Sequence, residues 1–230
     1  MAVTADRSAH APGDALELPA WYPGWARELA ELYFSGTTCL FVLHGNVHDL
    51  IRQGDGPNAA YGSLPRFLAT QLFGQWDLVL RHDLGQGLRL FAGADADRLR
   101  KMAALASARI GDPKSWPRDP DAILALLDQL IRDLLMDDDQ SRQLRLGVIF
   151  EYAQFLVPSA ELAQMAGPQG TRLVRLLSWA QNPYIKRHNV AFCLLCDHLA
   201  EINERLVASS HVATLFGGGL EDGGGHGARP

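Results

Sequence analysis

The sequence predicts an α/β fold in three layers, with helices on both faces of a mostly parallel, five-stranded sheet. Two observations carry the prediction. Short apolar runs without polar alternation recur along the chain, as in TCLFVL (38–43), LGVIF (146–150) and VAFCLL (190–195), and such runs mark strands buried on both faces. Between them lie segments with apolar residues at helical spacing. Parallel strands need crossovers of this kind, each placing its helix on a face of the sheet.

The elements follow in order. Trp25, Leu29, Leu32 and Tyr33 recur at helical spacing, so 24–34 reads as a helix that Ser35 and Gly36 stop. The strand 38–43 ends at His44 and Gly45. Leu64, Phe67, Leu68 and Leu72 line one side of a second helix, which ends at Gly74, and DLVLR (77–81) is a short strand. A helix over 99–110 precedes the loop GDPKSWPRDP (111–120). The next helix, 121–136, carries Ile123, Leu127, Leu130, Ile131 and Leu134 on its inner face. The triple acid 137–139 reads as a solvated loop, its carboxylates opposing the helix dipole and helping to end the helix. After the strand 146–150, Leu173, Val174, Leu176, Leu177 and Ala180 mark a helix that stops before Asn182 and Pro183. The strand 190–195, a short helix over 200–206 and a fifth strand over 211–216 complete the body.

Composition sets the function classes. With 230 residues, 47% hydrophobic and 20% charged, the chain is long enough for a core without disulfide or metal staples. The 21 Lys and Arg against 26 Asp and Glu leave a net charge of −5, which argues against binding driven by phosphate neutralisation, so nucleic acid is not an expected partner. Cys39, Cys193 and Cys196 all sit in apolar runs, as reduced thiols of a cytoplasmic protein do. No signal peptide and no run of about 18–20 apolar residues is present, so no membrane partner is expected. The expected organisation is a flexible leader (1–23), one domain (24–216) and a disordered, glycine-rich tail (217–230).

In an open parallel sheet, ligands bind beyond the carboxyl ends of the strands. Those ends are polar here: His44-Gly45-Asn46, His82-Asp83, Glu151-Tyr152 and Cys196-Asp197-His198. An acid directly after an apolar strand, as Glu151 is, can present a carboxylate to Mg²⁺ or polarise a water. It also reads as a strand-ending acid facing solvent.

Four segments, YFSGTTCLFVLHGNVHDLI (33–51), LRLGVIFEYAQFLVP (144–158), TRLVRLLSWAQNP (171–183) and VAFCLLCDHLAEINERLVAS (190–209), resemble the nucleotide-binding core of AAA+ ATPases, in particular the degenerate first module of some bacterial members. The resemblance implies a P-loop NTPase-like fold. It places Glu151 at the Walker B end, although the usual Asp-Glu pair is absent, and Asp197 near the polar sensor at the end of the fourth strand. It also sets Asn203 and Arg205 in a segment similar to the family's N-P-x-L-x-R stretch. Gly45, Asn46 and His48 fall at the phosphate-loop position. A phosphate loop needs G-x-x-x-x-G-K-[ST]. The chain instead reads His44-Gly45-Asn46-Val47-His48-Asp49-Leu50-Ile51-Arg52, with no second glycine, lysine or hydroxyl.

The expectation is therefore a relic nucleotide site with no cofactor, in a module whose phosphates would have only a helix N-terminus of about half a unit charge to hold them. Family resemblance implies protein partners: a fully equipped AAA+ ATPase module or further copies of the chain. Two alternatives stay open. In one, the chain is an active Mg·ATP hydrolase in which Glu151 activates water and Asp197 orients it. In the other, it is a fragment of a longer ATPase, because the family's helical lid does not follow residue 216.

Other constellations are weaker. His44 and His48, four apart, resemble H-E-x-x-H, but Gly45 stands where the glutamate belongs, so loop histidines are the simpler reading and no metal is expected. Cys193 and Cys196, three apart in a strand, point to opposite faces and cannot readily share a metal. The run Trp21-Tyr22-Pro23-Gly24-Trp25 reads as packing against the body or as a docking segment.

Overall fold

The computed structural model describes residues 18–57, 59–136, 144–160, 165 and 167–217. The triple acid 137–139 lies outside the described residues, as do 1–17 of the expected leader and 218–230 of the expected tail. The elements run α1 (Gly24–Phe34), β1 (Leu40–His44), β2 (Ile51–Gln53), β3 (Ala60–Gly62) and α2 (Leu64–Phe67), which continues as a π-turn over Leu68–Leu72. Then come β4 (Leu78–Asp83), β5 (Gly87–Leu90), α3 (Ala96–Ile110), α4 (Pro120–Leu135), β6 (Leu146–Phe150) and α5 (Ala153–Leu156). Last are α6 (Gly167–Gln181), α7 (Pro183–Arg187), β7 (Val190–Cys196), α8 (Glu204–Val207) and β8 (Val212–Phe216).

The main sheet has six strands in the order β5-β4-β6-β7-β1-β8, where five were expected. The extra strand is β5, which turns back antiparallel on β4 in the register Leu80↔Leu90 to Asp83↔Gly87. Asp83 makes this hairpin: its carboxylate accepts the Gln86 amide at 2.8 Å and binds Arg89 at 2.6 Å. His82 and Asp83, taken as a strand end in the sequence, are therefore inside β4. The other four pairings are parallel. A second departure is the antiparallel ribbon β2–β3, inserted between β1 and the first helix that follows it.

The strands β1, β6 and β7 hold the core. Every residue of β6 and β7 is buried, as are the first four of β1. Gly147 is required in β6 because a Cβ there would sit 2.9 Å from the Phe73 ring. The aromatic run before α1 packs on the body: Tyr22 and Trp25 are buried, with ring centroids 5.3 and 5.5 Å from that of Phe67. Arg27 ties this entry down by donating to the carbonyls of Pro19, Ala20 and Tyr22.

Helix signals in the sequence are honoured locally. Asp95 caps α3 by accepting the Arg98 amide, and Asp119 caps α4 by accepting that of Ala122. Arg98 reaches the carbonyls of Ala69, Phe73 and Trp76, closing the end of the π-turn. The helix expected over 200–206 is two pieces, a 3₁₀ turn at Leu199–Glu201 and then α8, because Asn203 interrupts it as the α8 cap.

Candidate functional site

The central strands β1, β6 and β7 end side by side, and a small cleft opens beyond their carboxyl ends. Its lining includes His48, Arg81, Glu151, Tyr152 and Asp197. The volume open to water-sized spheres is about 90 Å³, well short of the ~300–1,000 Å³ of ordinary ligand sites. A larger surface groove of about 570 Å³ lies along α6 and α7, but no charged side chain lines it. The chemistry belongs to the cleft.

Glu151 follows β6 and is 14% exposed. Arg81 of β4 lies in register with Ile149. Glu151 is two residues further on, so the pleat puts both side chains on one face. They form a two-pronged ion pair, Nε to Oε1 and Nη2 to Oε2, the latter at 2.9 Å. The guanidinium also lies over the Phe91 ring, 5.0 Å from its centroid. Both carboxylate oxygens are thus occupied by one internal cation.

The turn after β1 differs from a phosphate cradle. Gly45 adopts φ +94°, a conformation that favours glycine, and a Cβ there would meet the Phe216 ring at 2.4 Å. Its amide donates to the Asp197 carbonyl at 3.0 Å, and the Val47 amide donates to the Gly45 carbonyl at 2.7 Å. Asn46 is exposed. No helix starts at this turn; the chain enters β2 instead. Helix α2 begins at Leu64, with Pro65 removing one of its first amide donors.

His48 leans across the cleft mouth. Its Nε2 is 2.9 Å from Asp197 Oδ1, and its ring is tilted against Tyr152 with centroids 5.6 Å apart. Tyr152 is the one described non-glycine residue with positive φ, at 53°. The structure therefore brings together four of the sequence's site residues, Gly45, His48, Glu151 and Asp197. Asn203 and Arg205 do not line the cleft. Asn203 is 1% exposed, accepts the Arg205 amide at 3.1 Å and donates to the Ala160 carbonyl at 3.3 Å, while Arg205 is exposed on α8.

Sequence reasoning missed Arg81 as the partner of Glu151; the signal was a lone arginine closing an apolar strand. It also missed the burial of His82, which is 1% exposed with both ring nitrogens without a hydrogen-bond partner. Burial lowers its pKa to about 4. Burial also lowers that of His44, and it raises the thiols of Cys193 and Cys196, the latter to about 12. A buried thiol held protonated is a poor nucleophile or metal ligand.

Glu151 is bound by Arg81, the turn offers no lysine or hydroxyl, and its Gly45 and Val47 amides are spent on Asp197 and Gly45. Among the described residues, no group of three or more His, Cys, Asp or Glu is placed to hold a metal ion, and no helix is long and apolar enough to cross a membrane.

Comparison with known proteins gives two findings. A family model described as "AAA+ chaperone, N-terminal Rossmann-like domain" matches residues 13–216. A solved complex of HORMA, CdnC and Trip13 from E. coli MS115-1 contains a chain similar over 83% of this one, at 15% identity and a TM-score of 0.40. The present chain covers 55% of that chain, about half its length. No curated protein matches.

Proposed function

The chain belongs to the AAA+ chaperone N-terminal, Rossmann-like domain family, and on that premise we propose that it acts by association, as a regulatory or assembly module whose nucleotide site no longer holds triphosphate. The observation that carries this reading is the Arg81–Glu151 pair. A carboxylate that binds a metal or activates water must have a free oxygen facing the reacting groups; here both oxygens face a guanidinium. The turn adds a second support. About four phosphate charges need several amides, a lysine and a metal, and residues 45–49 supply a glycine already packed on Phe216 and an acid, Asp49.

The partners proposed are further copies of this chain or a fully equipped AAA+ ATPase module. Trp25 is 7% exposed and belongs to the core, so contact residues are sought instead among the exposed aromatics Tyr152, Phe155 and Phe216, which are 45%, 61% and 61% exposed. The test measures ATP turnover and sedimentation velocity side by side, for wild type and Glu151→Gln. Assembly that is the same in both proteins, with no turnover in either, is expected. Turnover in wild type that Glu151→Gln abolishes would establish an enzyme instead.

A further inference from the structure

Strand β8 closes the sheet beyond β1 and, among the described residues, pairs with β1 alone. Its ladder to β1 leaves a regular row of outward groups. Gly217 donates its amide to the His44 carbonyl at 2.8 Å, so in the alternation of a parallel ladder Leu215 and Ala213 also turn their backbone groups to β1, while Val212, Thr214 and Phe216 turn theirs away. The Val212 amide is taken by the Ser209 carbonyl at 3.1 Å. The amides of Thr214 and Phe216 and the carbonyls of all three residues face outward. The usual guards of such an edge are missing: VATLF holds no charge, proline or glycine, whereas the opposite edge, β5, carries Arg89 bound to Asp83. Thr214 and Phe216 are both exposed.

We propose that β8 is the contact through which two copies of this chain associate, their β8 strands pairing antiparallel about a two-fold axis at Thr214 and joining two sheets into one. The segment is its own complement, as a two-fold contact requires. With Thr214 facing Thr214 of the second copy, Val212 faces Phe216 and Ala213 faces Leu215, so a β-branched–aromatic pair flanks the threonine pair on each side. The same register matches donors to acceptors: outward residues meet outward residues, with two bonds exchanged across Thr214 and one from each Phe216 amide to the Val212 carbonyl of the other copy. Charge sets the direction. Lys186, whose Nζ lies 2.9 Å from His211 Nδ1, stands at the amino end of β8 beside the exposed Arg187. The exposed Asp49 follows β1 at the carboxyl end, where the sequence after Gly217 runs on to Glu221 and Asp222. Antiparallel pairing brings the basic end of each copy to the acidic end of the other, and parallel pairing would set like ends together. A five-residue edge makes a small contact, of the weak and reversible class. The contact rests on the proposed association between copies and gives it a surface.

Sedimentation velocity of the full chain over about 1 μM to 1 mM tests it. Wild type is expected to pass reversibly from monomer to dimer. Thr214 is exposed and turns its backbone groups away from β1, so Thr214→Lys and Thr214→Glu keep the fold, which circular dichroism and Tm check. Each sets like charges face to face across the axis and should weaken the dimer by about fivefold or more. An equimolar mixture of the two variants should recover it as a heterodimer whose affinity falls as salt rises. A wild type that stays monomeric throughout, or a mixture that associates no better than either variant alone, would overturn the contact. So would a dimer that forms only after truncation at Gly217, which would show that residues 218–230 cover the edge. A wild-type dimer that neither charge weakens overturns this contact and leaves association between copies standing, whereas ATP turnover that Glu151→Gln abolishes, read on the same samples, overturns the association reading itself.

Discussion

Glu151→Gln, Arg81→Met and the double variant weigh the Arg81–Glu151 pair directly. The two side chains are 14% and 25% exposed and doubly hydrogen-bonded, so they lie between surface pairs worth up to about 1 kcal/mol and fully buried pairs whose disruption costs about 3–5 kcal/mol. Each single variant should lose about 2–3 kcal/mol. For a domain of this size that is a Tm lowered by roughly 4–12 °C. The double variant should lose much less than the two singles combined, with a coupling of about 1–3 kcal/mol. Urea and thermal unfolding read both quantities. An unchanged or raised Tm in Glu151→Gln would refute the reasoning, because an acid kept for chemistry costs stability and its neutralisation restores it.

Three further outcomes follow from single contacts. The folded pKa of His82 is lowered to about 4 by burial against an ordinary 6.5, so the unfolded chain binds the extra proton. Stability is full above about pH 6.5 and falls toward pH 4 by about 3 kcal/mol; His82→Leu should flatten Tm against pH in that window, and an unchanged profile would count against it. Gly45→Ala adds a Cβ 2.4 Å from Phe216 at φ +94° and should cost about 2–3 kcal/mol, of which Phe216→Ala restores only the steric part; complete restoration would show that the conformation is unstrained. Asn203→Ala removes a cap and a tie to Ala160 and should cost about 2 kcal/mol in urea unfolding, with no effect on any cleft ligand.

The strands β1, β6 and β7 were legible to within a residue or two, because burial on both faces forces continuous apolar runs such as VAFCLL. The edge strand β5 and the ribbon β2–β3 were not. GLRL and IRQ are short, polar on one side and stabilised by pairing with segments that local sequence does not reveal. Helix α6 begins at Gly167, ahead of the apolar pattern that begins at Leu173. In the cleft, strand-end polarity pointed to Glu151 and Asp197, since each residue directly follows an apolar run. Their partners were hidden. Arg81 meets Glu151 only through the β4–β6 register, and His48 meets Asp197 only because the turn doubles back instead of starting a helix. Asn203, placed by sequence in a family-like segment, uses its side-chain amide to cap α8 and to tie down the Ala160 carbonyl.

Isothermal titration of the full chain with Mg·ATP tests the central claim most directly. The account predicts no saturable heat in the micromolar range, for wild type and Glu151→Gln alike. A micromolar or tighter constant in wild type, corresponding to about −8 kcal/mol of binding free energy, would mean that the cleft opens, Arg81 releases Glu151, and triphosphate is held after all.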